Sequence, residues 1–129
     1  QAMNTGHEGS MTTTHANSVS EALKRIETLC LMSDVELPVR AIRHQIASRV
    51  DLVIQQARFS DGSRKVTCIA EVVGLNPPDE IQVQNIFLFS RTGTSPDGSV
   101  LGDHVSTGRL PTFLDSFGRL GLVDRGDYL

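Results

Sequence analysis

The chain has 129 residues, of which 39% are hydrophobic and 21% are charged, values that are ordinary for one globular domain. Its formal net charge of −3 argues against the broadly basic surface that nucleic-acid-binding domains usually carry. Its apolar runs are only a few residues long, whereas a membrane-spanning helix needs about 18 or more apolar residues. Composition therefore indicates a soluble domain without a nucleic-acid partner, and the cytoplasm is its expected location.

The N-terminal segment 6–17 reads G-H-E-G-S-M-T-T-T-H-A-N, so His7 and His15 bracket a run of small and β-branched residues. Branching at Cβ favours extended backbone, which predicts a buried strand at 10–15. His15 is then expected at the junction between this strand and the following helix. Sheets of α/β proteins often present ligand-binding groups at such places.

Two amphipathic helices are predicted next. Ser18 and Glu21 have the spacing of a capping box, which predicts that the first helix runs over about 19–33. The second begins at Pro38, whose missing N–H costs nothing in the first turn of a helix. The apolar residues expected to be buried are Ala22, Leu23, Ile26, Leu29 and Cys30 in the first helix and Val39, Ile42, Ile46 and Val50 in the second.

The remainder of the chain has the pattern of strands. The continuous apolar run 52–54 is typical of a strand that is covered on both sides, as in a parallel sheet. Asp61 and Gly62 predict a two-residue hairpin turn, and the alternation on both sides of residues 76–79 predicts an antiparallel meander. The predicted succession is a strand at 65–73, a turn at 76–79, a strand at 81–89, a loop at 94–99, a weak segment at about 100–107 and a short helix at about 111–120.

The segment 6–17 resembles the histidine box of secretion and pilus-assembly ATPases. The resemblance continues through Leu37–Ser48, 51–56 and 61–67, and it extends to about Phe89. The chain as a whole is similar to the type II/IV secretion system ATPase family, in particular the CpaF-type branch that serves tight-adherence pilus assembly.

This resemblance implies an α/β fold. Residues 1–58 are expected to be the C-terminal part of a RecA-like P-loop ATPase core, a partial parallel sheet plus helices that carries the histidine box. Residues 59–129 are expected to add an antiparallel β-meander and a small C-terminal helix of the same motor domain. No G-x-x-x-x-G-K-[ST] motif occurs in the chain, and no apolar strand ending in an acidic residue precedes the box. The chain is therefore expected to be a C-terminal fragment that lacks Walker A and Walker B and is inactive as an ATPase when isolated.

The resemblance also implies functional residues in the histidine box. His15 and His7 are expected to be catalytic residues beside the nucleotide phosphates, reporting their state to the hexamer. Gly6, Gly9 and Thr14 are expected to support the nucleotide site. An imidazole at a strand end can hydrogen-bond a γ-phosphate or the attacking water, and phosphoryl transfer depends chiefly on such positioning.

Four basic residues are candidates for contacts between subunits or with the nucleotide: Arg40, Arg43, Arg64 and Lys65. A ring ATPase can use an arginine finger from a neighbouring subunit. Solvated surface charge is the alternative interpretation for each of them. Cys30 and Cys68 lie in apolar periodic segments and match no zinc-site spacing, so we interpret them as core residues and predict no metal site.

The function implied by the resemblance is to couple ATP hydrolysis to pilus assembly or protein export. ATP and Mg2+ would be the cofactors of the full-length parent, and this chain alone would bind neither. The expected partners are five further copies in a homo-hexamer and platform proteins of the inner membrane, which would place the protein in the cytoplasm, peripheral to that membrane. The alternative is a non-catalytic interaction module that docks to a ring or membrane platform through the meander.

Overall fold

The structure is a computed structural model that describes residues 9–33 and 36–127. Four strands form one sheet in the order β1-β2-β3-β4, and every neighbouring pair is antiparallel. The fold is therefore α/β in composition, with the predicted meander confirmed as its sheet. The elements are α1 (Val19–Leu31), α2 (Val39–Arg49), β1 (Leu52–Arg58), β2 (Arg64–Asn76), β3 (Glu80–Thr94), β4 (Val100–Ser106), α3 (Leu114–Arg119) and a 3-10 turn (Arg125–Asp127).

The predicted capping box at the start of α1 is confirmed. The Ser18 hydroxyl accepts a hydrogen bond from the backbone N–H of Glu21 at 3.1 Å. The Glu21 carboxylate in turn accepts one from the backbone N–H of Asn17 at 3.0 Å. The first bond satisfies a donor that a helix start would otherwise leave without a partner, and the second holds the residue before the N-cap, so local contacts mark where α1 begins.

Helices α1 and α2 pack on one face of the sheet. The buried core joins the first half of α1 to α2 and to Ala70 and Val72 of β2. Leu29 and Val39 were predicted to be buried, but they are 52% and 39% exposed. Hydrophobic periodicity marks which face of a helix is apolar, but it does not say how far the neighbouring layer extends. The cluster of buried residues consists of Val19, Leu23, Ile42, Ile46, Val50, Ala70 and Val72.

The interpretation of the two cysteines as core residues is confirmed. Cys30 and Cys68 are both free thiols, and both pack against the buried cluster. Burial raises the pKa of the Cys68 thiol above its ordinary value, so this side chain stays neutral.

The prediction for residues 52–54 is wrong. They open β1, which pairs antiparallel with β2 and lies at an edge of the sheet. Leu52 is 42% exposed and Ile54 is 58% exposed, so the outer face of β1 is not covered within the described residues. A run of three apolar residues is too short to distinguish a strand buried on both faces from an edge strand. The division at residues 58 and 59 stays a prediction, and β1 and β2 pair across it.

The strand predicted at 10–15 is also absent from the structure. Residues 10–16 have no regular secondary structure, and Met11 is 95% exposed. Strand propensity depends on packing against neighbours, and no described strand pairs with this segment. The end of the segment is held by a side chain instead of a strand: the Gln55 side-chain amide donates a hydrogen bond to the Ala16 carbonyl at 2.9 Å.

The β1–β2 hairpin differs in detail from its prediction. Asp61 and Gly62 do lie in the turn, but the N–H of Phe59 donates to the carbonyl of Ser63 at 2.8 Å, so three residues connect the strands instead of two. Gly62 has φ +85, the left-handed conformation that the last position of such a loop requires. The longer connection changes which side chains face each other at the end of the hairpin.

The C-terminal segment that follows β4 contacts the sheet at Glu71 and Gln84. The weak segment predicted at 100–107 is a full strand, β4, and the helix predicted at 111–120 is the shorter α3. The segment between them is fixed by Glu71 in β2, which is 2% exposed. Both carboxylate oxygens of Glu71 accept from the backbone N–H of Thr112, at 3.0 and 2.8 Å, and one accepts from its hydroxyl at 2.9 Å.

A close approach of strands at Gly102 leads to a first prediction. A Cβ added at Gly102 would clash with the backbone carbonyl of Ser90 and would lie 2.5 Å from Cζ of Phe89. We expect Gly102→Ala to lower the free energy of unfolding by about 1 to 3 kcal/mol, because β3 and β4 must separate to admit the methyl group. Urea denaturation measures this change. Gly93→Ala is the matched control, since its Cβ would meet nothing within 4 Å; equal losses in both variants would contradict the prediction.

Candidate functional site

The described part of the histidine-box segment lies on the surface. His15 is exposed and Thr14 is half-buried, three and four residues before the N-cap of α1 at Ser18. Gly9 has φ +74, a conformation that side chains rarely adopt. Gly6 and His7 lie outside the described residues. The His15 ring is therefore accessible to a ligand. Its backbone is held from two sides, by the Ser18 cap and by the hydrogen bond that the Gln55 side chain donates to the Ala16 carbonyl.

Two of the predicted arginines make contacts within the chain. Arg43 Nε lies 3.1 Å from Oε1 of Glu27, and its Nη1 donates to the carbonyl of Asp79 at 3.4 Å. Arg40 Nε lies 3.3 Å from Oδ1 of Asp79, and His44 approaches the same oxygen at 3.8 Å. These contacts tie α2 to α1 and to the β2–β3 turn. The Arg40 side chain is 73% exposed, so we expect its pair with Asp79 to add little stability.

A groove lies between α1, α2 and β3, with a volume of about 360 Å³. Its polar lining combines Lys24 and Arg43 with the carboxylates of Glu27 and Glu80. Because the two positive charges face two negative ones, this groove offers no net attraction for a phosphate group. The contacts of Arg43 with Glu27 therefore suit a structural role better than nucleotide contact.

The third arginine occupies a different environment. Arg64 is the first residue of β2 and lies directly opposite Arg58, the last residue of β1. Both are exposed. The Lys65 ammonium lies 5.8 Å from the centre of the Phe89 ring, which packs edge-on against Phe59 with ring centres 5.4 Å apart. Positive charge and aromatic rings are thus brought together at the hairpin end of the sheet.

The predicted site residues are distributed over separate parts of the fold. No contact joins His15 to Arg40, Arg43 or Arg64 in the described part of the chain, so the structure does not assemble them into one site. Sequence reasoning missed Arg58, whose importance depends on the strand register. It also missed Glu71, although a single acidic residue inside the apolar run 69–73 was an available signal.

Metal binding and membrane insertion are two further properties that the side chains and helices of a chain can indicate. Within residues 9–33 and 36–127, no cluster of three or more His, Cys, Asp and Glu side chains is placed to hold a metal ion. Among the same residues, no helix combines the length and the apolar character that crossing a bilayer requires.

Comparison with known proteins relates the chain to transfer and secretion systems. It is 32% identical over 103 residues to a Mycobacterium tuberculosis protein named "Putative conjugal transfer protein", matching in both the H37Rv and the CDC 1551 strain. That alignment covers 79% of this chain and 28% of the relative. The conjugal transfer protein TrbB of Rhizobium radiobacter is 36% identical over 64 residues, which cover 50% of this chain and 19% of the relative. The chain thus spans less than a third of the length of the curated relatives it matches.

A family model also matches most of the chain. The model described as "Type II/IV secretion system protein" matches residues 1–94, which include the histidine-box segment, both long helices, the β1–β2 hairpin and all of β3. This is well over half of the chain. The chain therefore belongs to the type II/IV secretion system protein family.

Proposed function

We propose that this chain is part of an ATPase that couples ATP hydrolysis to pilus assembly or protein export, and that His15 contacts the nucleotide phosphates in the full-length protein. Family membership supports the class of machine, and the names of the relatives, which refer to conjugal transfer, support a role in moving macromolecules. The observation that carries the proposal is the exposed His15 side chain on a backbone fixed at both the Ser18 cap and Gln55.

The chemistry assigned to this segment is positional. The His15 imidazole and the Thr14 hydroxyl can donate hydrogen bonds to phosphate oxygens, and donors that are already oriented stabilise transition-state charge without reorganising. Gly9, with φ +74, lets the backbone bend close to a ligand. We propose the same supporting role for Gly6 and His7. ATP and Mg2+ are the cofactors of this proposal.

The cellular setting is proposed on the same basis. The full-length protein would work as a homo-hexamer of the CpaF-type branch, in the cytoplasm, against platform proteins of the inner membrane. Among the arginines, Arg64 suits a contact with an anion better than Arg40 and Arg43, because the latter two already lie within 4 Å of carboxylates of this chain.

The test is His15→Ala in the full-length protein. We expect kcat for ATP hydrolysis to fall by about tenfold or more, with little change in circular dichroism or melting temperature, because an exposed ring supports no core. The matched control is His44→Ala, which removes an exposed histidine from α2. Full turnover in His15→Ala, or a loss of turnover equal to that of the control, would show that His15 has no role in the reaction.

A second candidate function is an interaction module that docks through the meander. Leu88 and Val105 favour it, because these register partners on β3 and β4 share one face of the sheet and are 39% and 48% exposed. The same experiment separates the two functions. A docking module predicts unchanged turnover in His15→Ala together with weaker binding of the inner-membrane platform when Leu88 or Val105 is replaced by serine.

A further inference from the structure

Two arginines face each other at the end of the β1–β2 hairpin. Arg58 and Arg64 are register partners in an antiparallel pair, so their Cβ atoms are about 4.5 to 5.5 Å apart and their side chains share one face. Like charges directly opposite each other destabilise a sheet. Lys65, next in the chain, lies on the opposite face of the strand, where its ammonium packs over the Phe89 ring, so it does not offset this repulsion. The hairpin thus carries a local electrostatic cost in a chain whose net charge is −3.

No carboxylate in the described residues compensates this pair. The ion pairs that the described chain forms involve Arg40, Arg43 and His44. The nearest acidic residue in sequence, Asp61, makes hydrogen bonds within the loops instead. It accepts from the backbone N–H of Ser63 at 2.9 Å and from that of Val100 at 2.8 Å. The guanidinium groups therefore have five N–H donors each and no acidic partner.

Asp61 is well suited to holding the loop in place. The Ser63 hydroxyl, then the Val100 and Ser63 amides, lower the pKa of Asp61 from 3.8 to about 2. Because the folded-state pKa is depressed, this group stabilises the loop above pH 3.8 and loses that effect as the pH falls toward 2. At neutral pH the carboxylate stays ionised and turned toward the amides.

The hairpin end is held rigid by packing. The Phe59 ring contacts Phe89, which in turn packs on His104 of β4 with ring centres 5.3 Å apart. The Asp61 bond to Val100 joins the hairpin loop to the start of β4. The backbone that carries the two arginines is therefore fixed by β3 and β4, which lowers the entropy lost when a ligand binds.

We infer that Arg58 and Arg64 form a binding site for a phosphate group. A terminal phosphate carries about −1.5 to −2 charges and three acceptor oxygens, so it can neutralise two guanidinium groups at once. A single carboxylate would leave one of them uncompensated. The planar fork of arginine matches phosphate oxygens in a bidentate manner.

The phosphate can come from two sources, a nucleotide or an anionic phospholipid headgroup. The nucleotide source deepens the proposed function and rests on it, since Arg64 would then contact the phosphates of an ATP bound by the same or a neighbouring subunit. The headgroup source does not rest on ATP hydrolysis. The recognition chemistry is the same, and the experiment separates the two.

The first measurement is binding of inorganic pyrophosphate to this chain by isothermal titration calorimetry. We expect saturable binding whose Kd rises about tenfold or more in Arg58→Gln and in Arg64→Gln. Arg64→Lys should retain part of the affinity, because it keeps the charge but loses the fork. Arg25→Gln on α1 is the matched control, since it removes an exposed arginine without a change in Kd. Without ligand, the two glutamine variants should melt no lower than the wild type, because a repulsion is removed.

An NMR titration of the wild type gives a second readout that needs no variant. Pyrophosphate should shift the amide signals of residues 57–66 more than those of α1. Equal Kd values in wild type, Arg58→Gln and Arg64→Gln would overturn the inference. So would signal shifts confined to other elements, or binding of a glutamate-rich peptide where pyrophosphate does not bind.

Two further measurements assign the source. If Arg64→Gln abolishes cosedimentation with phosphatidylglycerol vesicles, relative to phosphatidylcholine vesicles, the ligand is a headgroup. If it instead lowers ATP turnover of the full-length protein by about tenfold and spares vesicle binding, the ligand is a nucleotide. If Arg64→Gln changes neither vesicle binding nor ATP turnover, the inference that this site has a biological ligand is overturned. A full-length protein that hydrolyses no ATP refutes the proposed function alone, and the pyrophosphate and vesicle results still decide the site.

Discussion

Replacing Glu71 by alanine is expected to lower the free energy of unfolding by about 2 to 4 kcal/mol. The carboxylate is 2% exposed and accepts hydrogen bonds from the Thr112 amide and hydroxyl and, at 2.9 Å, from the side chain of Gln84, its register partner in β3. Alanine would remove the buried carboxylate that the exposed Thr112 and the half-buried Gln84 share as their hydrogen-bond acceptor. Urea denaturation followed by circular dichroism measures the change.

Two variants test the mechanism of this effect. Thr112→Val removes only the hydroxyl bond and should cost about 1 kcal/mol, because the backbone amide still reaches the carboxylate. Glu80→Ala removes an exposed glutamate from β3 and should cost less than about 0.5 kcal/mol. Hydrogen exchange in Glu71→Ala should increase mainly over residues 107–122. If Glu71→Ala is no less stable than Glu80→Ala, the carboxylate does not anchor the C-terminal segment.

Replacing Ile42 by alanine is expected to cost about 2 to 5 kcal/mol. Ile42 is 2% exposed and lies on α2 in the cluster that joins both helices to Ala70 and Val72 of the sheet. The smaller side chain would leave a cavity that a close-packed core fills only in part. Denaturation should show a lower urea midpoint with an unchanged slope.

Ile54→Ala is the control for this prediction. The same chemical change is made on β1, but Ile54 is 58% exposed, so little apolar area returns to water. We expect a loss below about 1 kcal/mol. Comparable losses at residues 42 and 54 would show that the packing of α2 on the sheet contributes less than the buried area indicates.

Local signals in the sequence were sufficient to predict an element of the fold wherever the contacts that determine that element lie within a few residues or between neighbouring strands. Ser18 and Glu21 fix the start of α1 because both bonds of the cap are made within four residues. Alternating apolar residues in β2 and β3 predicted an antiparallel meander because each strand pairs with its sequence neighbour. The family resemblance was likewise contained in the linear sequence, and the family match confirms its coarser part.

Propensity was misleading where partners decide the conformation. The threonine-rich segment at 10–15 has the residues of a strand, but backbone hydrogen bonds between strands need a second strand, and none pairs with it among the described residues. Leu52 and Ile54 have the residues of a buried strand, but their position at the sheet edge leaves them partly exposed. Neither outcome can be deduced from residue type, because both depend on which element lies alongside.

The sequence by itself determined the capped helix, the order of the strands and the membership of the family, since these depend on local spacing and on residue identity. Only the tertiary structure decided that Arg58 faces Arg64 and that Glu71 holds Thr112. Both pairs depend on register: one residue more in the hairpin loop would change the partner of Arg58. The Glu71 contact joins residues 41 positions apart, a distance over which no periodic pattern in the sequence specifies a partner.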